Sequence, residues 1–288
     1  MNDPGIHIRQ LPPLKDPLLI AGFDGWGNAL NVSHGMVKFL IRHFEAQPFA
    51  DLSADKFYRY DEHRPGVDIE DGLLKSYHSP GGAFYSAVTE QDQRDIVILS
   101  ADEPSLCWSL FVSQLFSLCR KLKVDTVITL GSMYDNVLHT DRTVSGVAST
   151  PELLQQLQKL NVNAISYQGP SAIHSIIQSE GTKQGFNCLS LWCHCPYYLQ
   201  GTTHFGILSH LGKLMAQLGN FSLDTEHLDK NWMALREQIN TLIDGNRELQ
   251  NLIASLRKEK AKGSTTRLNG KIAADEKIIN LQDFLDPK

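Results

Sequence analysis

The chain contains 288 residues, of which 42% are hydrophobic and 20% are charged, and its formal net charge is −5. This composition is typical of a globular protein, and it excludes collagen-like, mucin-like and fully disordered chains. The acidic balance disfavours nonspecific attraction to nucleic-acid phosphates. The longest aliphatic runs, such as 96–99, are far shorter than the roughly 20 residues that span a bilayer. Neither nucleic acid nor a membrane is therefore expected as a partner.

Short apolar runs alternate with amphipathic stretches over the first 223 residues. Several of these runs are apolar throughout, which indicates strands of a sheet that is buried on both faces. Because predicted strands alternate with predicted helices, the fold class is α/β with a largely parallel sheet. Strands are predicted at 18–23, 95–100, 125–130, 163–167 and 187–192, and helices at 29–44, 105–121, 150–160, 171–180 and 206–218.

Residues 48–94 interrupt this alternation. Polar and apolar residues alternate at 83–89, and turn signals stand at 64–66 (RPG) and at 79–82 (SPGG). Alternation bounded by proline and glycine is typical of antiparallel strands. We therefore expect an antiparallel excursion or a hairpin in this segment.

The density of charge changes near residue 223. Residues 224–288 carry 11 acidic and 11 basic side chains, whereas residues 1–223 carry 21 acidic and 16 basic ones. The net charge therefore belongs entirely to the first part. We interpret 1–223 as an α/β core domain and 224–288 as a C-terminal helical region.

Eight residues of this C-terminal region follow a continuous alternation of three- and four-residue steps, which predicts a long helix with one apolar seam. Within that helix, Gly245 lowers helix propensity, and Asn246 is a polar insertion that can fix register. The seam pairs either within the chain, as a helical hairpin packed on the core, or between chains, as a coiled coil. A loop at 262–266 and a short helix at 275–284 are expected to follow. The seam consists of Trp232, Leu235, Ile239, Leu242, Asn246, Leu249, Ile253 and Leu256.

The sequence lacks the phosphate loop G-x-x-x-x-G-K-[ST] and the motifs H-E-x-x-H, G-x-S-x-G and G-x-G-x-x-G,. The first predicted strand instead leads into residues 22–28, GFDGWGN. One interpretation is that its glycines let the backbone turn sharply and hold an anion at the N-terminus of the following helix. The other is a tight turn in which Trp26 packs and Asn28 caps that helix.

Cys193 and Cys195 flank His194 and fall on one face of a predicted strand. A structural zinc site needs four ligands, and no second cluster supplies the others at a useful spacing. Core packing of both cysteines is therefore favoured over a metal or redox site, and neither a metal nor another cofactor is expected. The odd number of five scattered cysteines indicates reduced thiols and a cytoplasmic location,.

The polar segment 130–142 follows a predicted buried strand, which is where α/β proteins keep their sites. In it, Asp135, His139 and Arg142 are candidates to orient a group, transfer protons and bind an anion. The alternative is a loop that caps helices or lines a subunit contact. Four other histidines are isolated in the sequence, and we expect surface or hydrogen-bonded core positions for them: His34, His43, His63 and His174.

A series of motifs runs in fixed order from residue 22 to roughly residue 198. They are GFDGWGNA at 22–29, FY at 57–58 with RP at 64–65, EP at 103–104, LG at 130–131 followed by Asp135, His139, Thr140 and Gly146, YQGPS at 167–171, SLW at 190–192 and PYY at 196–198. Together they resemble the proteasome assembly chaperone two family, especially its long bacterial branch. The chain departs from that pattern at Leu138, where relatives tend to have proline, and at Cys193 and Cys195, where they have small apolar residues.

The resemblance implies a three-layer α/β/α core similar to that of purine nucleoside phosphorylases, a C-terminal helical appendage, and a homo-oligomer with a trimer as the expected form. Relatives have been labelled both assembly chaperones and ATP-dependent carboxylate-amine ligases. Archaeal relatives that engage proteasomes have a penultimate tyrosine. This sequence closes with LDPK at 285–288, so insertion of the tail into a proteasome ring is not expected.

Two functions remain open. The first, which the absent catalytic motifs, the resemblance and the heptad seam favour, is a noncatalytic oligomeric protein that binds itself and a protein partner in the manner of an assembly chaperone. The second is a small-molecule enzyme or binder with a phosphorylase-like core, for a nucleoside, a nucleotide or a carboxylate. No catalytic residue is assigned. The candidate ligand-binding residues are Asp24, Gly25, Trp26, Asn28, Glu103, Asp135, His139, Thr140 and Arg142.

Overall fold

The computed structural model describes residues 4–90 and 93–261. Two short 3-10 helices, Ala29–Asn31 and Tyr197–Leu199, accompany the elements named next. The strands are β1 (Ile6–Ile8), β2 (Leu18–Asp24), β3 (Gln47–Leu52), β4 (Gly66–Glu70), β5 (Leu73–His78), β6 (Gly82–Ala87), β7 (Ile96–Asp102), β8 (Thr126–Asp135), β9 (Val144–Ala148), β10 (Asn163–Ala164) and β11 (Asn187–Pro196). The α-helices are α1 (Val32–His43), α2 (Ala54–Phe57), α3 (Trp108–Leu122), α4 (Pro151–Lys159), α5 (Ile173–Lys183), α6 (Phe205–Gly219), α7 (Glu226–Gly245) and α8 (Arg247–Ala261).

Nine of these strands form one sheet in the order β1-β3-β6-β7-β2-β8-β11-β9-β10. The four central strands β7, β2, β8 and β11 are parallel to one another. Antiparallel strands flank them, with β6 beside β7 and β9 beside β11. The predicted α/β class is confirmed, and parallel pairing is concentrated in the centre of the sheet.

Helices cover both faces of this sheet, as the uniformly apolar central strands require. Ile20, Ile128 and Leu191 belong to a core that includes residues of α1, α6, α7 and α8. On the opposite face, Leu19 and Val127 belong to a core that includes residues of α3 and α5. The arrangement is therefore three layers, α/β/α.

Several predicted boundaries shift. The helix predicted from residue 29 begins at Val32, because Leu30 and Asn31 have positive φ values of 51° and 54° and so leave the helical region. The strand predicted at 163–167 is reduced to Asn163–Ala164. By contrast, β8 and β11 run several residues beyond their predicted ends and stay paired over ten residues, up to Asp135 and Pro196.

Residues 48–94 form the predicted antiparallel excursion. β3 and β6 join the main sheet as antiparallel neighbours, while β4 and β5 form a separate two-stranded sheet. Asp71 and Gly72 close that hairpin with φ values of 51° and 76°. An Asp-Gly pair between alternating strands is a strong signal for a two-residue hairpin turn, and it lies between the two turn signals named in the sequence.

The single long helix predicted for the C-terminal region is wrong, because the helix breaks at Asn246, which has extended φ and ψ values of −128° and 110°. The Asn246 side-chain oxygen accepts hydrogen bonds from the backbone N–H groups of Glu248 (2.9 Å) and Leu249 (3.2 Å). Asn246 thus caps the start of α8, next to the weak helix former Gly245.

The heptad seam pairs within the chain. Trp232 near the start of α7 contacts Arg142, and Lys260 near the end of α8 lies 2.6 Å from Asp141, so α8 returns along α7 as a helical hairpin. Six seam residues are buried in the core they share with the sheet: Trp232, Leu235, Ile239, Leu249, Ile253 and Leu256. The predicted loop at 262–266 and helix at 275–284 lie outside the described residues, and the two-domain division at residue 223 stays a prediction.

Candidate functional site

The loop after β2, residues 24–28, lies at the carboxyl edge of the sheet, and we call it the Trp26 loop. Asn28 Nδ2 donates a hydrogen bond to Asp24 Oδ1 (2.8 Å), and Asn28 Oδ1 accepts one from the backbone N–H of His34 (3.2 Å) in the first turn of α1. The structure therefore shows Asn28 serving as a cap for that helix. Gly25 has a φ of 150°, and a Cβ at this position would lie 2.8 Å from Glu103 Cβ, so the loop requires glycine there.

Glu103 connects this loop to a second helix. Its Oε2 accepts a hydrogen bond from Trp26 N (3.2 Å), and its Oε1 accepts one from Ile173 N (2.7 Å), the first residue of α5. A carboxylate at this position satisfies a free N–H group and the positive end of the helix dipole. Glu103 therefore fills the place at which an anionic ligand would meet α5.

Trp26 does not pack against the described chain, contrary to the tight-turn interpretation. Its side chain is 65% exposed, although its backbone N–H is held by Glu103. The loop thus presents a large aromatic side chain to solvent on an anchored backbone.

Asp135 lies in a second group, at the extended end of β8, together with His194 and Ser145. His194 Nδ1 is 2.7 Å from Asp135 Oδ2, and His194 Nε2 is 2.7 Å from Ser145 Oγ. The carboxylate accepts a hydrogen bond from Nδ1–H, and in the neutral imidazole with this tautomer Nε2 accepts the Ser145 hydroxyl proton. All three side chains are buried, and the chain of bonds ties β8, β11 and β9 together.

The order of these bonds is that of a Ser-His-Asp triad, in which a reactive serine must reach its substrate. The Ser145 hydroxyl is buried instead. Sequence reasoning identified Asp135 but missed His194 and Ser145. The available signal was strand alternation, because His194 must face away from Cys193 and Cys195.

His139 lies in a third group, beneath the helical hairpin. Tyr198 Oη accepts a hydrogen bond from His139 N (2.6 Å) and lies 2.9 Å from His139 Nδ1. His204 Nδ1 accepts from Ile207 N (3.3 Å), so His204 Nε2 carries the proton that it donates to His139 O (3.0 Å). Burial, reinforced by Arg236 and other arginines, lowers the pKa of His139 to about 4, so this imidazole is neutral at pH 7.

Arg142 completes the third group. Its guanidinium Cζ lies 4.3 Å from the Trp232 ring centroid, and Nη1 donates hydrogen bonds to the carbonyl oxygens of His139 (3.1 Å) and Asp141 (2.9 Å). Trp232 also stacks on His204, with ring centroids 4.6 Å apart. Arg142, which was predicted to bind an anion, therefore contacts backbone carbonyl oxygens of its own loop and the Trp232 ring near the start of α7. Thr140, beside it, is exposed.

The three groups occupy one edge of the sheet but separate positions on it. Gly22 of β2 pairs with Leu130 of β8, so Asp24 lies beside Ser132. Asp135 is three residues beyond Ser132 on β8, which places it about 10 Å from that position at the rise of a β-strand. His139 and Arg142 lie beyond the strand, under α7. The structure therefore does not gather the nine candidate residues around one pocket.

Two clefts of the described chain lie elsewhere. One, of about 330 Å³, lies between β1 and α3. The other, of about 540 Å³, lies between α5 and β9, and His174 and Trp192 are among its lining residues. His174 Nε2 lies 2.8 Å from Leu130 O, while Nδ1 is buried without a hydrogen-bond partner in the described chain. None of the nine candidate residues lines either cleft.

Core packing of Cys193 and Cys195 is confirmed, since both side chains are fully buried. Burial raises the pKa of the Cys193 thiol to about 12, which keeps it protonated. Within residues 4–90 and 93–261, no three side chains of His, Cys, Asp or Glu are grouped to hold a metal ion. In the same residues, no helix has the length and apolar character needed to span a bilayer.

The family assignment comes from comparison with known proteins. The sequence model of the PAC2 family matches residues 19–243, which is most of the chain. No curated protein matches the sequence significantly.

Solved structures share the fold. A PAC2 family protein from Streptomyces avermitilis is 26% identical, with a TM-score of 0.74 over 83% of this chain and 100% of that chain. A proteasome-assembly chaperone homologue from Mycobacterium tuberculosis is 23% identical, with a TM-score of 0.75 over 82% and 99%. An archaeal proteasome activator from Pyrococcus furiosus is 16% identical, with a TM-score of 0.61 over 82% and 97%.

Proposed function

The chain belongs to the PAC2 family, and from this membership we propose that it is a noncatalytic, homo-oligomeric protein that binds a protein partner and assists assembly. Two structural neighbours, a proteasome-assembly chaperone homologue and a proteasome activator, support such a role. The proposal includes a trimer and a cytoplasmic location. Five free cysteines favour a reducing compartment,.

The observation that carries the proposal is the Trp26 loop. Tryptophan is enriched among the residues that dominate protein interfaces, because it buries a large area at low entropic cost. Trp26 is exposed, its backbone N–H is held by Glu103, and the loop around it is held by the hydrogen bond from Asn28 to Asp24. An anchored, exposed tryptophan loses little conformational freedom on binding. We therefore assign partner binding to this loop.

The polar candidate residues make hydrogen bonds within the fold, which also favours a binding role over catalysis. Glu103 caps α5, Asp135 holds His194, and Arg142 holds backbone carbonyls. Groups committed to the fold in this way are poorly placed to act on a substrate. The small-molecule alternative gains no support from these residues, which line neither of the two clefts described above.

The test is a cross-linked pull-down from the source organism with the tagged full-length chain, quantified by mass spectrometry. We expect one reproducible protein partner, whose recovery Trp26→Ala lowers about tenfold or more, as for an interface hot spot. Met233→Ala is the matched control, because Met233 is a similarly exposed apolar side chain on α7. Light scattering of the free protein should give three times the chain mass of 32.2 kDa.

Two results would count against the proposal in different ways. If no partner is recovered reproducibly by the wild-type chain, the assembly role is contradicted. If Trp26→Ala recovers the same partner as fully as Met233→Ala does, the partner binds elsewhere and the assignment to the Trp26 loop fails.

A further inference from the structure

The cleft between α5 and β9, which we call the α5–β9 cleft, forms where the helical layer ends before the sheet does. Residues paired across antiparallel strands share a face, so Val147 of β9 lies on the same face as its partner Ser190 of β11. On this face α5 packs against β11, where Ile177 and Cys188 belong to one core. Val147, beyond the helix, remains 37% exposed. The cleft volume of about 540 Å³ is typical of small-molecule sites,.

The cleft wall is rich in hydroxyl groups and nearly free of charge. Among the described residues that line it, Lys183 alone is charged at pH 7, and its Nζ lies 2.7 Å from Glu180 Oε1. An ionic ligand would lose hydration here without meeting an unpaired counter-charge, so the cleft suits an uncharged ligand. The hydroxyl groups that line it belong to Ser149, Ser175, Ser179, Thr182 and Ser190.

Two of these serines have hydroxyl hydrogens to donate. Ser190 Oγ accepts hydrogen bonds from Thr129 Oγ1 (2.9 Å) and Trp192 Nε1 (3.0 Å). Ser149 Oγ accepts one from Cys188 N (3.0 Å). A hydroxyl oxygen that accepts in this way still carries its own hydrogen. Both groups are therefore fixed in place and able to donate to a ligand.

Residues of α5 supply acceptors to the same cleft. Gln178 Nε2 donates a hydrogen bond to Cys188 O (3.1 Å), which fixes the amide and leaves its Oε1 as an acceptor. One turn further along, Thr182 Oγ1 donates to Gln178 O (2.7 Å), so its lone pairs remain to accept. A ligand group that both donates and accepts can therefore satisfy both kinds of lining residue.

His174, at the start of α5, adds an acceptor that has no partner. Its Nε2 lies 2.8 Å from Leu130 O, a carbonyl oxygen that can only accept, so Nε2 carries the hydrogen,. Burial lowers the pKa of His174 to about 4, and the neutral ring leaves Nδ1 as an acceptor. Nδ1 is buried without a hydrogen-bond partner in the described chain. A buried acceptor of this kind gains more from a donor than an exposed one does.

Trp192 supplies a fixed aromatic surface. Its indole N–H is held by Ser190, and its ring lies so close to the backbone of β8 that a Cβ at Gly131 would be 2.7 Å from it. The ring centroids of Trp192 and His174 are 4.9 Å apart. Trp192 remains partly exposed and lines the cleft. Because the ring is fixed before binding, little conformational freedom is lost when a ligand packs on it.

We propose that the α5–β9 cleft binds an uncharged mono- or disaccharide, whose ring packs on Trp192 and whose hydroxyl groups bond to Gln178 and Ser190. A sugar ring has an apolar C–H face that suits an aromatic surface. Each sugar hydroxyl both donates and accepts, as the mixed lining requires. A purely apolar ligand would bury these donors and acceptors unpaired, so the lining disfavours it.

The test is saturation-transfer-difference NMR on the full-length chain with a panel of neutral sugars. Glucose, galactose, mannose, N-acetylglucosamine, maltose, cellobiose, lactose and trehalose are each used at about 10 mM, which fills even a site of millimolar Kd. We expect at least one sugar to bind. Ser179→Trp, which puts a large ring at an exposed lining position of α5, should weaken this binding about tenfold or more. Gln158→Trp, at an exposed position of α4, is the matched control and should bind as the wild type does.

Gln178→Met is an independent second variant. It keeps the length of the side chain but removes the amide, so we expect binding to weaken about tenfold. Cys188 O keeps its hydrogen bond from Ser149 N (2.9 Å), so the substitution leaves no carbonyl without a donor there. Circular dichroism checks the fold of each variant.

Three results would overturn the inference. If no sugar of the panel binds the wild-type chain, the saccharide assignment is contradicted. If a sugar binds and both Ser179→Trp and Gln178→Met leave its affinity unchanged, the sugar binds outside the α5–β9 cleft. If adenosine, tested in parallel, binds while no sugar does, the ligand class is wrong. Recovery of the protein partner through Trp26 is a separate measurement, so these results leave the proposed function standing.

Discussion

Burial sets the protonation of three internal histidines. It lowers the pKa of His139 and His174 to about 4 and that of His204 to about 3. A pKa near 4 makes His139 a weak base and leaves it without the imidazolium proton that a general acid gives at pH 7. The proton-transfer role that the sequence suggested for His139 is therefore poorly served by its surroundings, which no property of the sequence around residue 139 reveals.

His174 gives a direct test of this effect. Unfolding returns its pKa to about 6.5, so between about pH 4 and pH 6.5 the unfolded chain binds more protons, and stability falls as the pH falls. For His174 alone the free energy of unfolding should drop by about 2 kcal/mol from pH 7 to pH 5. His174→Phe should remove this part of the loss, as measured by urea unfolding at both pH values.

The substitution is suitable because Leu130 O keeps its hydrogen bond from Ser33 Oγ. His227→Gln, at an exposed position of α7, controls for the loss of a histidine as such. Equal pH dependence in the wild type and His174→Phe would show that His174 does not titrate on unfolding in the manner its burial implies.

The strands show which structural features can be predicted from apolar patterns in the sequence. The apolar runs predicted the central strands and their burial, because each run reports the faces of its own strand. The ends of β8 and β11 were missed because glycine, polar residues and proline interrupt their apolar runs at 131–135 and 193–196. They remain paired since Asp135, His194 and Ser145 satisfy one another across the strands, and such a network depends on residues distant in sequence.

The helical hairpin shows a different limit. Three- and four-residue spacing correctly predicted that Ile239, Leu249 and Ile253 are buried. The same spacing continues across the break at Asn246, so periodicity alone does not distinguish one long helix from two. The distinction comes from capping, since Asn246 satisfies two N–H groups that a continuous helix would satisfy with its own carbonyls,.

Asn246→Ala tests this capping. Because it removes the acceptor for Glu248 N and Leu249 N, we expect it to lower the free energy of unfolding by about 1 kcal/mol. Asn246→Asp keeps an acceptor oxygen at the start of α8 and should stay within about 0.5 kcal/mol of the wild type. Urea unfolding measures both variants. An alanine variant as stable as the wild type would mean that the break does not depend on the cap.

The step in charge at residue 223 and the packing of the chain describe two different properties. Charge density indicates the composition of the exposed faces, and the exposed faces of α7 and α8 are highly charged. Their buried faces, including Ile239 and Ile253, share one apolar cluster with Ile128 and Leu191 of the sheet. Residues in one continuous core should unfold together, even where the composition of their exposed faces differs.

We therefore expect the core and the helical hairpin to unfold in a single transition, so that a cavity made in α7 destabilises the central sheet as well. Ile239 is fully buried, and Ile239→Ala should cost about 3 kcal/mol. Hydrogen exchange at increasing urea should show this loss equally at the amides of β8 and of α7. Gln238→Ala, at the neighbouring exposed position, should change neither. A loss confined to α7 and α8, with β8 unaffected, would show instead that residues 224–288 form a separate unit, as the charge pattern alone suggests.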